Sequence, residues 1–241
     1  MNNEYIGVID SGVGGLSVLK ELVLSMPNEN YVYYGDNQNA PYGEKSDRRL
    51  LELLFNDISM FNGFKLKALI VGCNTLSVCV LKYLRKSFNF EIFGVYPPTL
   101  TPLIKGYKTL LLSTPKTAQN TSALRGLTVK PLSNLAIDIE RNLYDLGEIN
   151  IYDHLGNIKG DFDAVILGCT HYDLIKNQIF DHFQPRYMYS GIDFTVKRVK
   201  EFCKNRKSLV NHSRNKIIFI GKTAKINEKF WFSVVENGFT N

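Results

Sequence analysis

Two cysteines in similar local contexts are the side chains of this chain best suited to chemistry. Cys73 follows the apolar run of residues 67–71, and Cys169 follows that of residues 163–167, each after a single glycine. Short apolar runs bounded by glycine and by polar residues that can begin a helix are typical of buried parallel strands leading into helices. Both thiols are therefore predicted at the carboxyl ends of strands, where open α/β sheets bind ligands.

Two thiols on opposite sides of one cleft are suited to removing a proton from one face of a carbon atom and returning one to the other. Because the thiolate is the base, we expect the positive end of the following helix to lower the pKa of each thiol. The alternative is that Cys73 and Cys169 are small buried apolar residues, a common fate of free cysteine. Cys79, inside an apolar helical pattern, and Cys203, in a basic stretch, are interpreted in that way.

The cysteines and histidines do not form a metal-binding pattern. No pair of cysteines has C-x-x-C spacing, and the four histidines are scattered along the chain at positions 154, 171, 182 and 212. We therefore expect no metal site. No secretory signal precedes the apolar residues 5–9, so irregularly spaced free thiols predict a reducing, cytoplasmic location.

Size and charge limit the function classes. With 241 residues, of which 44% are hydrophobic, the chain can bury one large core or two smaller ones. The net charge of +6 comes from basic residues spread along the chain, and the densest group, residues 197–207, has little aromatic interleaving. This pattern favours a solvated helix face over nucleic-acid binding. No apolar run approaches the ~18 residues of a membrane span, so no membrane partner is expected.

Strand and helix patterns alternate along the chain. The predicted strands are residues 5–9, 30–34, 67–71, 91–95, 108–112, 149–152, 163–167, 185–189 and 216–220. The predicted helices are residues 15–25, 46–61, 76–87, 133–146, 172–182, 193–205 and 225–237. Alternation of this kind predicts an α/β fold with mostly parallel sheets flanked by helices.

Two interruptions suggest where domains meet. The proline-rich residues 96–102 follow a strand, and residues 205–215 are polar. Because the strand–Gly–Cys segment occurs twice, we expect two pseudo-symmetric α/β domains with the active site in the cleft between them. The predicted first domain comprises residues 1–96 and 211–241, and the predicted second domain comprises residues 97–210.

A glycine-rich turn opens the chain between the first strand and helix. The dinucleotide motif G-x-G-x-x-G fails because Ser17 occupies its last position, and the P-loop pattern is absent. Asp10 and Ser11 instead present a carboxylate and a hydroxyl at the strand end. The glycines that follow would let backbone N–H groups approach a small anion, although a purely structural turn is the alternative.

Taken in order, these segments resemble the glutamate racemases of the aspartate/glutamate racemase superfamily. The matching segments are residues 10–18 (DSGVGGLSV), 41–43 (PYG), 73–75 (CNT), 112–117 (LSTPKT), 169–172 (CTHY) and 219–230. Residues 134–140 align more weakly with the segment that carries the family's second catalytic carboxylate. Pro97 and Asp173 depart from the glutamate and proline that are usual at these positions.

The resemblance implies cofactor-independent interconversion of L-glutamate and D-glutamate by two cysteine bases, supplying D-glutamate for peptidoglycan. By resemblance, Asp10 assists Cys73, which removes the proton of D-glutamate. His171 and Glu140 assist Cys169, which acts on L-glutamate. The residues implied to bind substrate are Asp10, Ser11, Pro41, Tyr42, Gly43, Cys73, Asn74, Thr75, Thr117, Cys169, Thr170 and His171. Thr170 has a second interpretation, because Thr170-x-x-Asp173 matches a helix capping box.

Other functions stay open at this point. Aspartate racemases of the superfamily usually carry Cys-Thr-Glu at the second cysteine, so His171 favours glutamate over aspartate as the substrate. Some glutamate racemases inhibit DNA gyrase, and the positive charge is compatible with a non-catalytic relative that interacts with DNA or gyrase. The expected partners are glutamate and a second copy of the chain in a homodimer.

Overall fold

The computed structural model describes residues 4–84, 88–121, 124–206 and 216–237. Its strands are β1 (Tyr5–Asp10), β2 (Asn30–Gly35), β3 (Leu66–Val71), β4 (Glu91–Gly94), β5 (Thr109–Ser113), β6 (Leu127–Pro131), β7 (Ala164–Gly168), β8 (Tyr187–Ser190) and β9 (Ile217–Phe219). Its α-helices are α1 (Gly15–Ser25), α2 (Asp47–Ser59), α3 (Asn74–Cys79), α4 (Leu100–Ile104), α5 (Pro115–Gln119), α6 (Leu135–Arg141), α7 (Ile151–Leu155), α8 (Lys176–Phe183), α9 (Gly191–Asn205) and α10 (Ala224–Asn237). Short 3-10 helices span Leu81–Tyr83, Leu146–Glu148 and Tyr172–Ile175.

The strands form two parallel sheets with the same internal order. The first sheet runs β4-β3-β1-β2-β9 and the second runs β6-β5-β7-β8. When the first sheet is read in the reverse direction and β9 is left out, its order β2-β1-β3-β4 corresponds to β6-β5-β7-β8 in the second sheet. Strands β3 and β7, which precede the two cysteines, therefore occupy equivalent positions. The predicted α/β class with two similar sheets is confirmed.

The central strands are buried on both faces, as their continuous apolar runs predict. Every residue of β5 and of β7 is buried, as are the last five residues of β1 and of β3. Removal of this apolar surface from water stabilises each sheet by about 25 cal/mol per Å². The strand ends, and the residues that follow them, are thereby held in fixed positions.

Each sheet and the helices that flank it form a sheet unit, and contacts between the two units hold their strand ends together. Helix α1 of the first unit packs against α9 of the second. The Thr195 hydroxyl in α9 donates to the Gly94 carbonyl at 3.1 Å, and the Ser17 hydroxyl lies 3.4 Å from the Thr170 carbonyl. Strand β9 pairs with β2 in the first sheet. The division at residues 96 and 97 stays a prediction, and that at residues 210 and 211 lies outside the described residues.

One predicted strand is wrong and one strand was not predicted. Residues 149–152 contain no strand: Ile149 and Ile151 are buried without a strand partner, and the Asn150 side chain accepts from the Tyr152 amide to begin α7. Two buried isoleucines with a polar residue between them imitate strand alternation. Strand β6, at the edge of the second sheet, is half exposed and ends in Lys130 and Pro131, which weakens its apolar pattern.

Several predicted helices are shorter in the structure. The helix predicted at residues 76–87 is α3 followed by a 3-10 turn, and residues 85–87 lie outside the described part of the chain. The helix predicted at residues 133–146 is reduced to α6, and short helices α4, α5 and α7 were not predicted. Among the described residues, no helix has the length and apolar content required to cross a bilayer.

Candidate active site

A cavity of about 460 Å³ lies where the carboxyl ends of the two sheets meet. Of the residues predicted to act or bind, those that line it are Ser11, Pro41, Tyr42, Gly43, Cys73, Thr75, Glu140, Cys169, Thr170 and His171. Cys73 follows β3 of the first sheet and Cys169 follows β7 of the second. The duplicated strand–Gly–Cys segments therefore bring both thiols to one cavity.

On the first side, a chain of polar groups leads from Cys73 to a buried carboxyl group. Cys73 is the N-cap residue of α3, and its sulfur is close to the Leu76 amide and the Ser11 hydroxyl. The Ser11 hydroxyl lies 3.4 Å from Asp10 Oδ1. Asp10 also accepts from the Gly12 amide at 3.1 Å and from the Thr170 hydroxyl at 3.1 Å. Asp10 thus stands behind Cys73 and connects the two sheet units.

On the second side, Cys169 begins a chain of three side chains. Its sulfur lies 3.7 Å from Nδ1 of His171, and Nε2 of His171 lies 2.7 Å from Oε1 of Glu140. The sulfur, the imidazole and the carboxylate are all largely buried. This is the arrangement in which an oriented imidazole controls the protonation of a thiol.

Donors of the first sheet unit fix Glu140, which itself lies in α6 of the second. The Val13 amide donates to Oε1 at 2.7 Å, and the Asn37 amide donates to Oε2 at 2.9 Å. Such a close approach requires glycine in the turn after β1. A Cβ atom at Gly12 would lie 1.8 Å from Glu140 Oε1, and one at Gly14 would lie 2.5 Å from His171 Nδ1.

Three threonine hydroxyls form a triangle beside the cavity. Oγ1 of Thr75 lies 3.0 Å from that of Thr114 and 3.4 Å from that of Thr117, which are themselves 3.1 Å apart. Thr114 also begins α5, where its hydroxyl accepts from the Thr117 amide at 3.3 Å. Thr75 and Thr114 line the cavity, and Thr117 is fully buried behind them.

The electrostatics of the Cys73 side differ from the sequence-based expectation. Burial raises the pKa of the Cys73 thiol well above its usual range, and the nearby Asp10 charge raises it further. The Leu76 amide and the Ser11 hydroxyl oppose this shift but do not overcome it, so the predicted lowering at the helix end is wrong for Cys73. Burial also raises the pKa of Asp10 to about 6, against the opposite effect of the His171 charge. Burial and the Asp10 charge thus favour the thiol form of Cys73 over the thiolate.

Around His171, hydrogen bonds and nearby charges outweigh the effect of burial on the pKa values. Burial disfavours its cationic form, but hydrogen bonds to Cys169 and Glu140 and their negative charges raise the His171 pKa well above its usual value. Burial likewise disfavours the Glu140 carboxylate, but His171, the Val13 amide and Asn37 together keep the Glu140 pKa below its usual value. Glu140 is therefore a carboxylate and His171 an imidazolium near neutral pH.

Tyr42 is anchored from behind by two buried carboxyl groups. Its hydroxyl lies 2.6 Å from Asp36 Oδ2 and 3.1 Å from Asp57 Oδ2. Burial, together with the charge of Asp36, raises the pKa of Asp57 to about 8. Because Asp57 is largely protonated, the two carboxyl groups can lie close together beside the Tyr42 hydroxyl without strong repulsion. Their hydrogen bonds to Tyr42 hold the loop of residues 41–43 against the cavity.

Three of the predicted substrate-binding residues do not reach the cavity wall. Asp10 and Thr117 lie behind it, and the Asn74 amide donates to the Val95 carbonyl at 3.2 Å. The capping interpretation of Thr170 is wrong, because its hydroxyl donates to Asp10 and the 3-10 helix after His171 has no side-chain cap.

Further residues line the cavity that the sequence did not single out as binding residues. They are Asn37, Ala40, Thr114, Ala136, Ile137, Arg141, Leu143 and Ile226. Asn37 and Ala40 lie between β2 and the matching residues 41–43, and Thr114 lies within the matching residues 112–117, so both segments offered a signal. Of the other five, Ala136 and Ile137 lie within the weakly aligned residues 134–140, and nothing local marks a binding role for Arg141, Leu143 and Ile226. Within the described residues, no group of three or more His, Cys, Asp and Glu side chains is arranged to hold a metal ion.

Comparison with known proteins gives a consistent result. No family model matches the chain. The chain is 35% identical over 219 residues to a glutamate racemase of Clostridium acetobutylicum, which covers 83% of this chain and 84% of that protein. It is 32% identical over 222 residues to a glutamate racemase of Leptospira interrogans, covering 87% of each. The crystal structure of a glutamate racemase isoform of Bacillus anthracis is similar, with a TM-score of 0.81, 28% identity and coverage of 97% of this chain and 95% of that one.

Proposed function

This chain belongs to the glutamate racemase family, and from that premise we propose that it interconverts L-glutamate and D-glutamate with two cysteine bases. The observation that carries the mechanism is that Cys73 and Cys169, from equivalent strands of two sheets, line one cavity. Racemisation requires proton removal from one face of the α-carbon and proton return to the other. One base would not easily reach both faces, whereas a thiol from each sheet unit would.

The charges around the two thiols favour one acid and one base. Burial and the Asp10 charge favour the thiol form of Cys73, while the Cys169 sulfur lies 3.7 Å from Nδ1 of the positively charged His171. In the direction from L-glutamate, Cys169 takes the α-proton, and Cys73 donates its proton to the opposite face. The product is D-glutamate, with Cys73 as thiolate and Cys169 as thiol. The reverse reaction starts from that state, and no other reactant is consumed.

Neutral donors beside the thiols would bind the substrate and stabilise the carbanion-like transition state. The hydroxyls of Ser11, Thr75 and Thr114 line the cavity and suit the carboxylates of glutamate. Hydrogen bonds to the α-carboxylate that strengthen as charge develops would lower the barrier. No step of this scheme calls on a cofactor.

The proposal extends to the role of the product. D-Glutamate would serve peptidoglycan synthesis in the cytoplasm, as the family resemblance implies. Racemisation of aspartate is the second candidate, because the cavity would also admit the shorter substrate. The homodimer stays a prediction.

A circular-dichroism assay tests the activity directly. Purified protein without added cofactor is incubated with L-glutamate, D-glutamate or either isomer of aspartate, and the decay of optical activity is followed. We expect both glutamate isomers to decay to the racemate and aspartate to change far more slowly. Equal or faster turnover of aspartate would reassign the substrate, and dependence on added pyridoxal phosphate would contradict the two-cysteine mechanism.

A further inference from the structure

We infer that Asn37 is a positioning residue that acts on only one face of the substrate, by holding Glu140 behind the His171–Cys169 pair. The inference rests on the proposed function and names a residue that sets the strength of one of its two bases. Asn37 follows β2 of the first sheet unit, whereas Glu140 lies in α6 of the second. The hydrogen bond between them, from Nδ2 to Oε2 at 2.9 Å, therefore crosses the cleft.

The orientation of the Asn37 amide is set by charge. Because Glu140 is a carboxylate that only accepts, the nitrogen of Asn37 must face it, and the amide oxygen would be repelled. The oxygen Oδ1 is buried and has no hydrogen-bond partner among the described residues. A buried acceptor without a partner is destabilising. The Asn37 side chain therefore forms its hydrogen bond to Glu140 even though the same orientation leaves Oδ1 without a partner.

The consequence of this contact reaches Cys169 in two steps. A donor to Oε2 stabilises the ionised carboxylate, and it leaves Oε1 directed at Nε2 of His171, 2.7 Å away. The carboxylate in turn stabilises the imidazolium, which faces the Cys169 sulfur at 3.7 Å. Loss of the Asn37 donor should therefore weaken the base that acts on L-glutamate.

Cys73 shares this dependence only indirectly. Burial, the Asp10 charge and the Leu76 amide affect the pKa of its thiol most, followed by the Cys169 charge and the Ser11 hydroxyl, and Asn37 is not among these groups. The base for D-glutamate should accordingly survive the loss of Asn37. Racemisation cannot reveal this asymmetry, because an equilibrium constant of one forces kcat/KM to be equal in the two directions.

An elimination substrate separates the two faces. With β-chloroglutamate, the base takes the α-proton and the C–Cl bond breaks, with chloride leaving on its electron pair. The resulting enamine hydrolyses to 2-oxoglutarate and ammonium, so reprotonation by the second thiol is not needed. Chloride release from the L and D isomers then reports on Cys169 and Cys73 separately.

For Asn37→Ala, we expect kcat/KM for the L isomer to fall about tenfold to a hundredfold, the usual effect of losing a hydrogen bond to a charged group. Elimination of the D isomer should change less than about twofold, and it also reports that the variant is folded. Asn37→Asp, which has nearly the same shape, should be worse than alanine for the L isomer because a second carboxylate repels Glu140. In both variants, the acid limb of the L-isomer pH profile should move to higher pH.

Asn39→Ala provides the matched control. Asn39 lies in the same loop, and its side-chain amide also donates to a carboxylate, that of Asp36 at 2.9 Å, whereas the hydrogen bonds of Glu140 are with Val13, Asn37 and His171. We expect its ratio of L to D elimination to equal that of the wild type. The inference is overturned if Asn37→Ala lowers both isomers equally, or if Asn37→Asp is more active than Asn37→Ala. Wild-type protein that eliminates neither isomer and does not racemise glutamate contradicts the proposed function itself.

Discussion

Nε2 of His171 lies 2.7 Å from Oε1 of Glu140, with both side chains largely buried. The other ring nitrogen lies 3.7 Å from the Cys169 sulfur, so one imidazole connects the thiol to a carboxylate. A buried carboxylate is costly unless it is paired and hydrogen-bonded, and here it has three donors. The pair therefore determines the charge that Cys169 faces.

Glu140→Gln should lower kcat for glutamate racemisation about a hundredfold or more, within the range typical of lost general acid–base assistance. Glutamine keeps the shape and one acceptor oxygen but removes the charge that stabilises the imidazolium, and its N–H₂ group replaces the other oxygen that accepts a hydrogen bond in the wild type. Racemisation measured by circular dichroism would show this loss. Glu148→Gln is the control, because Glu148 lies in an exposed 3-10 turn away from the cavity, and a kcat for Glu140→Gln within twofold of wild type would contradict the role.

Cys73→Ala and Cys169→Ala should each abolish racemisation, because turnover requires both faces. With β-chloroglutamate, Cys169→Ala should retain elimination of the D isomer and lose that of the L isomer, and Cys73→Ala should do the reverse. The loss should be about 10²-fold to 10⁴-fold, as expected for removal of a general base. If both variants lost both eliminations equally, the assignment of faces would be wrong. Near wild-type racemisation by either would overturn the two-thiol mechanism.

The regular part of the fold could be predicted because buried parallel strands have continuous apolar sequences. Runs such as residues 67–71 and 163–167 lie within or beside β3 and β7. The edge strand β6 could not be recognised from its own polar composition, although the repeated order of the sheets would have placed a strand after β5. A strand was wrongly predicted at residues 149–152 because Ile149 and Ile151, buried in an irregular segment, produce the same alternation of apolar and polar residues as a strand.

The site was predictable to the extent that strand ends determine it. Ser11 and Cys169 directly follow strands, Cys73 follows β3 after a single glycine, and all three line the cavity. The contact of Asn37 with Glu140 spans 103 positions in the chain, so no local pattern could indicate it. The pKa of Cys73 was predicted in the wrong direction because depth of burial, the largest effect on it, is a property of the assembled fold.

Asp57→Asn should change how stability depends on pH. The pKa of Asp57 is raised by burial and by Asp36 to about 8, above its usual value of 3.8, so the folded protein retains a proton that the unfolded chain loses. Its contribution to stability is fully present below about pH 4 and is lost as the pH rises to 8. Asparagine does not titrate, so the stability of the variant relative to wild type should increase between pH 5 and pH 8. Thermal unfolding across this range measures the difference, and parallel pH profiles would contradict the expectation.

Gly12→Ala should inactivate the enzyme while leaving the fold nearly as stable as before. The added Cβ would lie 1.8 Å from Glu140 Oε1 and 2.7 Å from its Cδ. The carboxylate is the end of a flexible side chain, so it can swing away and relieve the clash, but it then leaves His171. We therefore expect a large loss of kcat with a small change in Tm, whereas Gly147→Ala, whose Cβ would lie 3.5 Å from Asp145 Oδ1, should change neither.

A double variant tests whether Gly12 acts through Glu140. If it does, combining Gly12→Ala with Glu140→Gln should lower activity no further than the more severe single change, since the two act on one contact. Multiplicative losses in the double variant would show that the methyl group damages the site by another route.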